Sequence, residues 1–316
     1  MSNINNYIEY INDLAENDPQ ELVRRSETRF DNILNDITAR IAADDGREIV
    51  MLAGPSASGK TTTANKIAEK CIRRGMQTYV VSLDDFYLDR DQIPLDETGK
   101  PDFETVYALD LPKFAETMCR LLSGESTDLP IFDFTTGKRS ASVRTVTLGA
   151  QDAVVVEGLH ALNPIITDAL PQKNLLKIYI SVSSRIYNER GKIVLNKRNL
   201  RFLRRMTRDY LFRASSVENT YNLWENVRKG EDKYLFPFRD LADVKINSVH
   251  LSAPCVFRDT CLAMLAGAEL HGEQKKDAQE LCAALRQFVP ISASLIPEDS
   301  LLREFLGTAG LSQNTD

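Results

Sequence analysis

The segment Gly54-Pro55-Ser56-Ala57-Ser58-Gly59-Lys60-Thr61 constrains this chain more than any other, because it satisfies G-x-x-x-x-G-K-[ST] at every fixed position. Ile49-Val50-Met51-Leu52-Ala53 precedes it, a continuous apolar run of the kind a parallel strand needs when both of its faces are covered. Lys60 to Arg74 follows as a helical segment closed by Gly75. Strand, loop and helix in that order are the context in which this pattern cradles phosphate. The glycines let the backbone curl until successive N–H groups converge on anionic oxygens, and the new helix adds its positive end. The expected nucleotide-holding set is Gly54, Ser56, Ala57, Ser58, Gly59, Lys60, Thr61 and Thr62. In it Lys60 reaches the β- and γ-phosphates and Thr61 offers its hydroxyl to Mg²⁺.

The same alternation continues along the chain. Tyr79-Val80-Val81, Ala153 to Val156, Ile178-Tyr179-Ile180 and Val244-Lys245-Ile246 read as further short strands, and Pro112 to Leu122, closed by Gly124, as another helix. Strands separated by helices imply a mostly parallel sheet with right-handed crossovers. Residues 1–45 read as helical, with a start at Asp18-Pro19-Gln20-Glu21 and an apolar stripe of Ile33, Leu34, Ile37 and Ile41. Residues 129–148 break the alternation. Ile131 to Phe134 and Val143 to Thr147 flank Thr136-Gly137-Lys138, which predicts an inserted β-hairpin. After His250 the pattern is helical again, over Ala263–Leu270, Asp277–Phe288 and Glu298–Leu306, and the residues from Gly310 read as a frayed end.

Ligands of open α/β sheets bind beyond the carboxyl ends of the strands, and acids stand at two such ends. Asp84 and Asp85 follow the strand that starts at Tyr79, and Glu157 follows Val156. Glu157 is placed to hold Mg²⁺ or its waters. Transfer of a phosphoryl group to an alcohol needs a group that takes the hydroxyl proton, and Asp84 is the first candidate, with Asp85 second. Further on, Arg201, Arg204, Arg205 and Arg208 share one helical face, with Asp209 as the one acid in register. Like charges at these spacings oppose a helix by roughly 0.2–0.5 kcal/mol per pair. The expectation is that a polyanion meets the face. Arg213 follows, just before Ser215-Ser216-Val217-Glu218, which reads as a capping box opening a new helix. A basic helix beside a hinge suggests a closing lid over residues 190–215 whose Arg205, Arg208 and Arg213 offset transition-state charge together with Lys60.

Taken together these motifs resemble the uridine kinase and phosphoribulokinase family, from about Glu48 to Val249. Leu83-Asp84-Asp85-Phe86-Tyr87 resembles its D-x-F-Y segment, whose aspartate is the general base and maps onto Asp84. Leu129 to Phe134 resembles the P-x-Y-D-F hairpin, and Val156-Glu157-Gly158-Leu159 the E-G segment whose glutamate binds magnesium. Arg204 to Asp209 resembles the R-R-x-x-R-D lid. Asp102-Phe103-Glu104 is similar to the N-F-D segment that holds the ribose hydroxyls, with Glu104 in place of Asp. Phe132 stands where the family has Tyr, and Gly137 where it has the His that reads the pyrimidine. The tail segments Lys233 to Phe238 and Ser300 to Gly307 are similar to a bacterial branch of uridine kinases with C-terminal helices.

The resemblance implies a P-loop NTPase fold, a three-layer α/β/α with a mostly parallel sheet, the hairpin insert and helical extensions at both ends. The division expected is 1–45, 46–250 and 251–316. It implies ATP and Mg²⁺ as cofactors, with Thr61, Asp84 and Glu157 on the metal, and a nucleoside 5′-hydroxyl as acceptor. Asp84, Tyr87, Glu104, Phe132, Phe134 and Arg208 are the expected acceptor-side residues. A kinase of the same fold acting on another alcohol, such as a sugar phosphate or pantothenate, is the near alternative. A GTP-dependent switch is the distant one, since Asn196-Lys197-Arg198-Asn199 lacks the aspartate of N-K-x-D.

The remaining composition narrows partners. A net charge of −6 disfavours nucleic acid. Five cysteines without a C-x-x-C pair disfavour a disulfide framework or zinc site. No apolar run reaches membrane-spanning length, and Met1 to Glu16 carries Asn, Asp and Glu where a secretory apolar region would lie. The expected partner is a small-molecule substrate in a reducing cytoplasm, with homo-oligomerisation compatible with the extra helices.

Overall fold

A computed structural model describes residues 5–43, 46, 48–97, 99–173 and 175–307. In chain order the elements are α1 (Ile8–Asn17), α2 (Pro19–Ala43), β1 (Glu48–Ala53), α3 (Lys60–Arg73), β2 (Thr78–Ser82) and α4 (Leu111–Ser123). Four short strands follow: β3 (Thr127–Leu129), β4 (Phe132–Asp133), β5 (Lys138–Arg139) and β6 (Arg144–Val146). Then come β7 (Ala153–Glu157), α5 (Pro164–Thr167), β8 (Leu175–Ser181), β9 (Ile186–Tyr187), β10 (Ile193–Leu195), α6 (Lys197–Phe212) and α7 (Val217–Tyr234). The chain closes with β11 (Val244–Asn247), α8 (Ala253–Ala266), α9 (Gly272–Leu285) and α10 (Arg303–Leu306).

The central sheet has five strands in the order β11-β8-β1-β7-β2, every pair parallel. Each residue of β1 is buried, which a strand in mid-sheet with helices on both faces requires. Side chains alternate between two cores. Val50 and Leu52 join Ala64 and Ile67 of α3, Phe257 of α8 and Phe305 of α10 on one face. Ile49, Met51 and Ala53 join Phe114 and Met118 of α4 and Ile166 of α5 on the other. Helix–sheet–helix layering of a P-loop fold is the result, as the alternation of strand and helix predicts. The parallel register sets Glu157 opposite both Leu52 and Ser82, so the loops after β1, β2 and β7 open at one edge. Among the described residues no helix is long and apolar enough to cross a membrane.

The terminal helices feed the first of these cores. Phe30, Leu34, Ile37 and Ile41 of α2 are buried there, as are Leu301, Leu302 and Phe305 near the C-terminus. Each fully buried side chain of this size is worth roughly 1.5–3 kcal/mol. Asp18 starts α2 as its sequence suggests, accepting from the Glu21 N–H at 3.0 Å.

Several local expectations need correction. The inserted hairpin turns at Gly137 as expected, but its arms pair as two nested ladders: β4 with β5 next to the turn, and β6 back to β3 rather than to Ile131–Phe134. The segment Val143–Thr147 therefore lies against 127–129, since Arg144 must reach the Val80 carbonyl at the edge of the main sheet. α8 begins ten residues earlier than the sequence suggests, at Ala253 with Pro254 in its first turn, and ends at Ala266. α9 starts at Gly272, before Asp277, and stops at Leu285. Of the expected helix Glu298–Leu306 only Arg303–Leu306 is helical, since Leu301 and Leu302 are drawn into the core as a turn. The cap of α7 is Ser216, which accepts from Asn219 N–H, so the box expected at Ser215 and Glu218 does not form. Glu218 instead accepts from the Glu269 N–H. The tail from Gly310 and residues 1–4 lie outside the described residues.

Candidate active site

Between β1 and α3 the backbone turns twice into the left-handed region, at Ala57 (φ 58°) and Gly59 (φ 89°). A Cβ at Gly59 would come within 2.5 Å of Leu301, so this position takes glycine for space as well as for its dihedral. Alanine at φ > 0 is strained, and surrounding structure has to hold it. Ser56 is that hold. Its N–H donates to Glu231 Oε1 at 2.7 Å, its carbonyl accepts from Arg201 Nε at 2.9 Å, and its hydroxyl accepts from Arg205 at 2.7 Å. Arg201 and Glu231 pair with each other while both are buried. The N–H groups of Ala57, Gly59, Lys60, Thr61 and Thr62 bond to no protein group among the described residues. They are open donors at the positive end of α3, an anion-binding nest. Of the expected nucleotide-holding set, Ser56 departs, because its N–H is already committed to Glu231.

Glu157 comes to the loop as the register dictates. Its Oε1 accepts from the Thr61 hydroxyl at 3.2 Å and from Ser82 Oγ at 3.3 Å. Burial raises its carboxyl above the usual range, Lys60 opposes that, and the charge of Asp84 adds to it. Asp84 lies in a single-turn helix at Leu83–Phe86, where its N–H is held by Ser82 Oγ. Its side chain meets water on one side and is crowded by protein on the others. The crowding raises its carboxyl, with Asp85 adding and Lys60 and Arg213 opposing. Lys60, Thr61, Glu157 and Asp84 thus converge. Asp85 does not join them: it accepts from the Phe132 N–H at 3.2 Å and ties the insert to the sheet.

The oxygens of Thr61, Asp84 and Glu157 form the hard donor set that Mg²⁺ takes, and a divalent cation would relieve the mutual repulsion of the two carboxylates. Among the described residues no three His, Cys, Asp or Glu side chains cluster tightly enough to hold a metal alone.

The arginine face of α6 resolves into two pairs. Arg201 and Arg204 are buried and structural: Arg201 grips Ser56, and Arg204 donates to the Ser248 carbonyl at 2.8 Å and lies over Phe305. Arg205 and Arg208 gather, with Arg213, on the buried carboxylate of Asp209. Arg208 also comes within 3.8 Å of Glu304, which accepts from the Thr62 hydroxyl at 2.7 Å. Where the expectation was a polyanion, Glu231, Asp209 and Glu304 meet this face from within the protein. Glu231 carries no sequence signal, and Glu304 has one only through the resemblance of Ser300 to Gly307, which gave it no role, because each reaches the loop from a distant element.

A second group adjoins Asp84, whose charge acts on Tyr87. Tyr87, Phe132 and Phe134 stack pairwise, with ring centroids 5.1–6.3 Å apart. Tyr87 donates to the Phe103 carbonyl at 2.9 Å. Glu104 packs against Gly230 of α7, and burial, then Glu231, push its carboxyl up to about 7. Asp102 positions it, accepting from the Glu104 N–H and from the Tyr234 hydroxyl. His160, which lies just after β7, is buried against Tyr234 and the Glu104 backbone, and burial lowers its imidazole to about 4. It is a neutral wall residue. Gly137 has φ +68°, and a Cβ there would meet the Arg90 guanidinium at 2.7 Å. At the turn of the insert, Arg90 covers this position.

A model of the Phosphoribulokinase / Uridine kinase family matches residues 49–253. A uridine kinase of Staphylococcus aureus (strain JH9) is 28% identical over 200 residues, covering 63% of this chain and 86% of that protein. Among solved structures, a "Possible Uridine Kinase" from Bacillus stearothermophilus is 20% identical with a TM-score of 0.45, covering 70% of this chain and 99% of that one. A D-glycerate 3-kinase from Cryptococcus neoformans is 16% identical with a TM-score of 0.34, covering 84% and 88%. Both TM-scores are low, and the spatial likeness carries no assignment.

Proposed function

This chain belongs to the Phosphoribulokinase / Uridine kinase family and is an ATP-dependent kinase of a small molecule, and within that family we propose that it phosphorylates the 5′-hydroxyl of a uridine- or cytidine-type nucleoside. The observation that carries the reading is the convergence of Lys60, Thr61, Glu157 and Asp84, with the charge of Asp84 acting on Tyr87 of the ring group it forms with Phe132 and Phe134. The open N–H groups of Ala57, Gly59, Lys60, Thr61 and Thr62 would receive the phosphates of ATP, with Lys60 on the terminal ones. Thr61, Glu157 and Asp84 would hold Mg²⁺, which would supply charge neutralisation at the phosphates. Asp84 accepts the proton of the attacking hydroxyl, and its raised affinity for a proton suits that role. Glu104 takes hydrogen bonds from the ribose hydroxyls, and the three rings flank the base. Arg205, Arg208 and Arg213, held together by Asp209, offset the charge spread over the transferred group.

One observation favours a second acceptor. With Arg90 over Gly137, the insert offers a cation where a neutral ring would read a pyrimidine, which suits a charged or sugar-like alcohol such as a sugar phosphate or pantothenate. ADP release measured with uridine, cytidine, purine nucleosides, ribulose 5-phosphate and pantothenate decides between them. Fastest turnover with uridine or cytidine supports the reading, and turnover confined to a non-nucleoside alcohol replaces it with the second.

A further inference from the structure

A cavity of about 390 Å³ opens beside Pro55, between the ends of β8 and β11 and the segment that runs out of α7. None of Asp84, Tyr87, Glu104, Phe132 or Phe134 lines it, so it lies apart from the acceptor side. Its volume is in the range that holds a small metabolite. Tyr179 and Phe236 give it an apolar wall.

Its charge is unbalanced. Arg201 is matched by Glu231, and Arg239 and Lys245 share Asp240. Lys197, Arg198 and Arg228 also line the cavity with one further acid, Asp232, and none of the four makes an ion pair among the described residues, which leaves six cations against three acids. The Nε of Arg228 is buried without an acceptor. Lys197 and Arg198 moreover occupy the first turn of α6, where no acid is present. Cations are disfavoured there by the helix's own positive end, and an anion in the cavity reverses that penalty. Two walls of the cavity, Arg201 and Glu231, are the groups that grip the carbonyl and N–H of Ser56.

We propose that this cavity binds a phosphorylated small molecule as an effector, and that the phosphate loop reads its occupancy through Arg201 and Glu231. The second half rests on the phosphate loop being the ATP site; the first does not.

The probe is inorganic pyrophosphate, titrated calorimetrically into the whole protein saturated with Mg²⁺ and a non-hydrolysable ATP analogue, so that the phosphate loop is already filled. The expected result is one further site whose affinity falls at least tenfold in the double variant Lys197→Glu/Arg198→Glu, since charge-assisted contacts to phosphate are the strong ones. The melting temperature of that variant does not fall, because acids suit a first turn. In turnover assays, saturating pyrophosphate shifts the KM for ATP at least twofold more in the wild type than in the variant. No binding with the loop filled, or equal affinity in the variant, overturns the site. Binding with the same KM shift in both proteins overturns the coupling. The calorimetric arm needs no turnover, so it reads the occupancy of the cavity even if the chain is inactive on every nucleoside.

Discussion

On the donor side Ser56 is held at each of its polar groups by Arg201, Arg205 and Glu231, whereas on the acceptor side Phe134 stands 59% exposed in the turn that follows a two-residue strand. The donor groups are fixed before any ligand arrives, their positions set by buried ion pairs and by the register of β1 against β7. Two of the acceptor groups, Phe132 and Phe134, ride on the insert, which side-chain bonds such as Phe132 N–H to Asp85, Arg90 to the Phe134 carbonyl and Arg139 to Asp110 tie to the rest, while Tyr87 and Glu104 stand outside it. A preorganised phosphate cradle opposite a pliable wall lets one chemistry persist while the alcohol it serves changes. It also places Asp84 at the seam, on the rigid edge but facing the adaptable side.

Substituting the seam residue separates the two halves most sharply. Asp84→Asn should lower turnover on the order of 10²–10⁴-fold while an ATP analogue binds as before, measured by steady-state kinetics and calorimetry. Weakened analogue binding of similar size would instead make Asp84 a donor-side group.

Next is a break confined to the donor side. Arg201→Ala leaves Glu231 buried without its partner, which should cost about 3–5 kcal/mol in urea unfolding. A loss under about 1 kcal/mol would mean that Ser56 is not held by this pair.

On the acceptor side the test is pH. Glu104, raised to about 7 by burial first and Glu231 second, is neutral below that pH and ionised above it. An ionised carboxylate is the better acceptor for ribose hydroxyls, so the KM for the nucleoside should fall as pH rises through 7, by up to about tenfold. Glu104→Gln should flatten the profile and leave the KM for ATP unmoved. A profile unchanged by that substitution assigns the titration elsewhere.

The smallest effect expected is that of Phe134→Ala. Losing one member of the ring cluster should raise the nucleoside KM about two- to tenfold, with the KM for ATP unaffected. An equal change in both would contradict the separation of the two sides.

The same contrast explains what could be read before the fold was known. The phosphate loop, the strand before it and Glu157 are local signals, each carried by a few adjacent residues, and the parallel register then brings them together without further information. Asp84 was legible for the same reason, although it sits in a single-turn helix beyond the strand. Glu231 and Glu304 were not, since they act on residues 175 and 242 positions away and look like ordinary helix-surface acids in the sequence. The arginine stripe misled in part: spacing places Arg201 and Arg204 on the same face as Arg205 and Arg208, and cannot tell that the first two are buried by α7 and α10. The insert misled most, because strands of two or three half-exposed residues have too little alternation to fix which partner each one takes.

The most direct measurement compares ADP formation with uridine, with 5′-deoxyuridine and with no acceptor at all. Turnover is expected with uridine and only a trace background in the other two, because the phosphoryl group needs the hydroxyl facing Asp84. Equal ADP formation in all three would mean that the nest feeds water or a switch cycle, and would contradict transfer to a nucleoside.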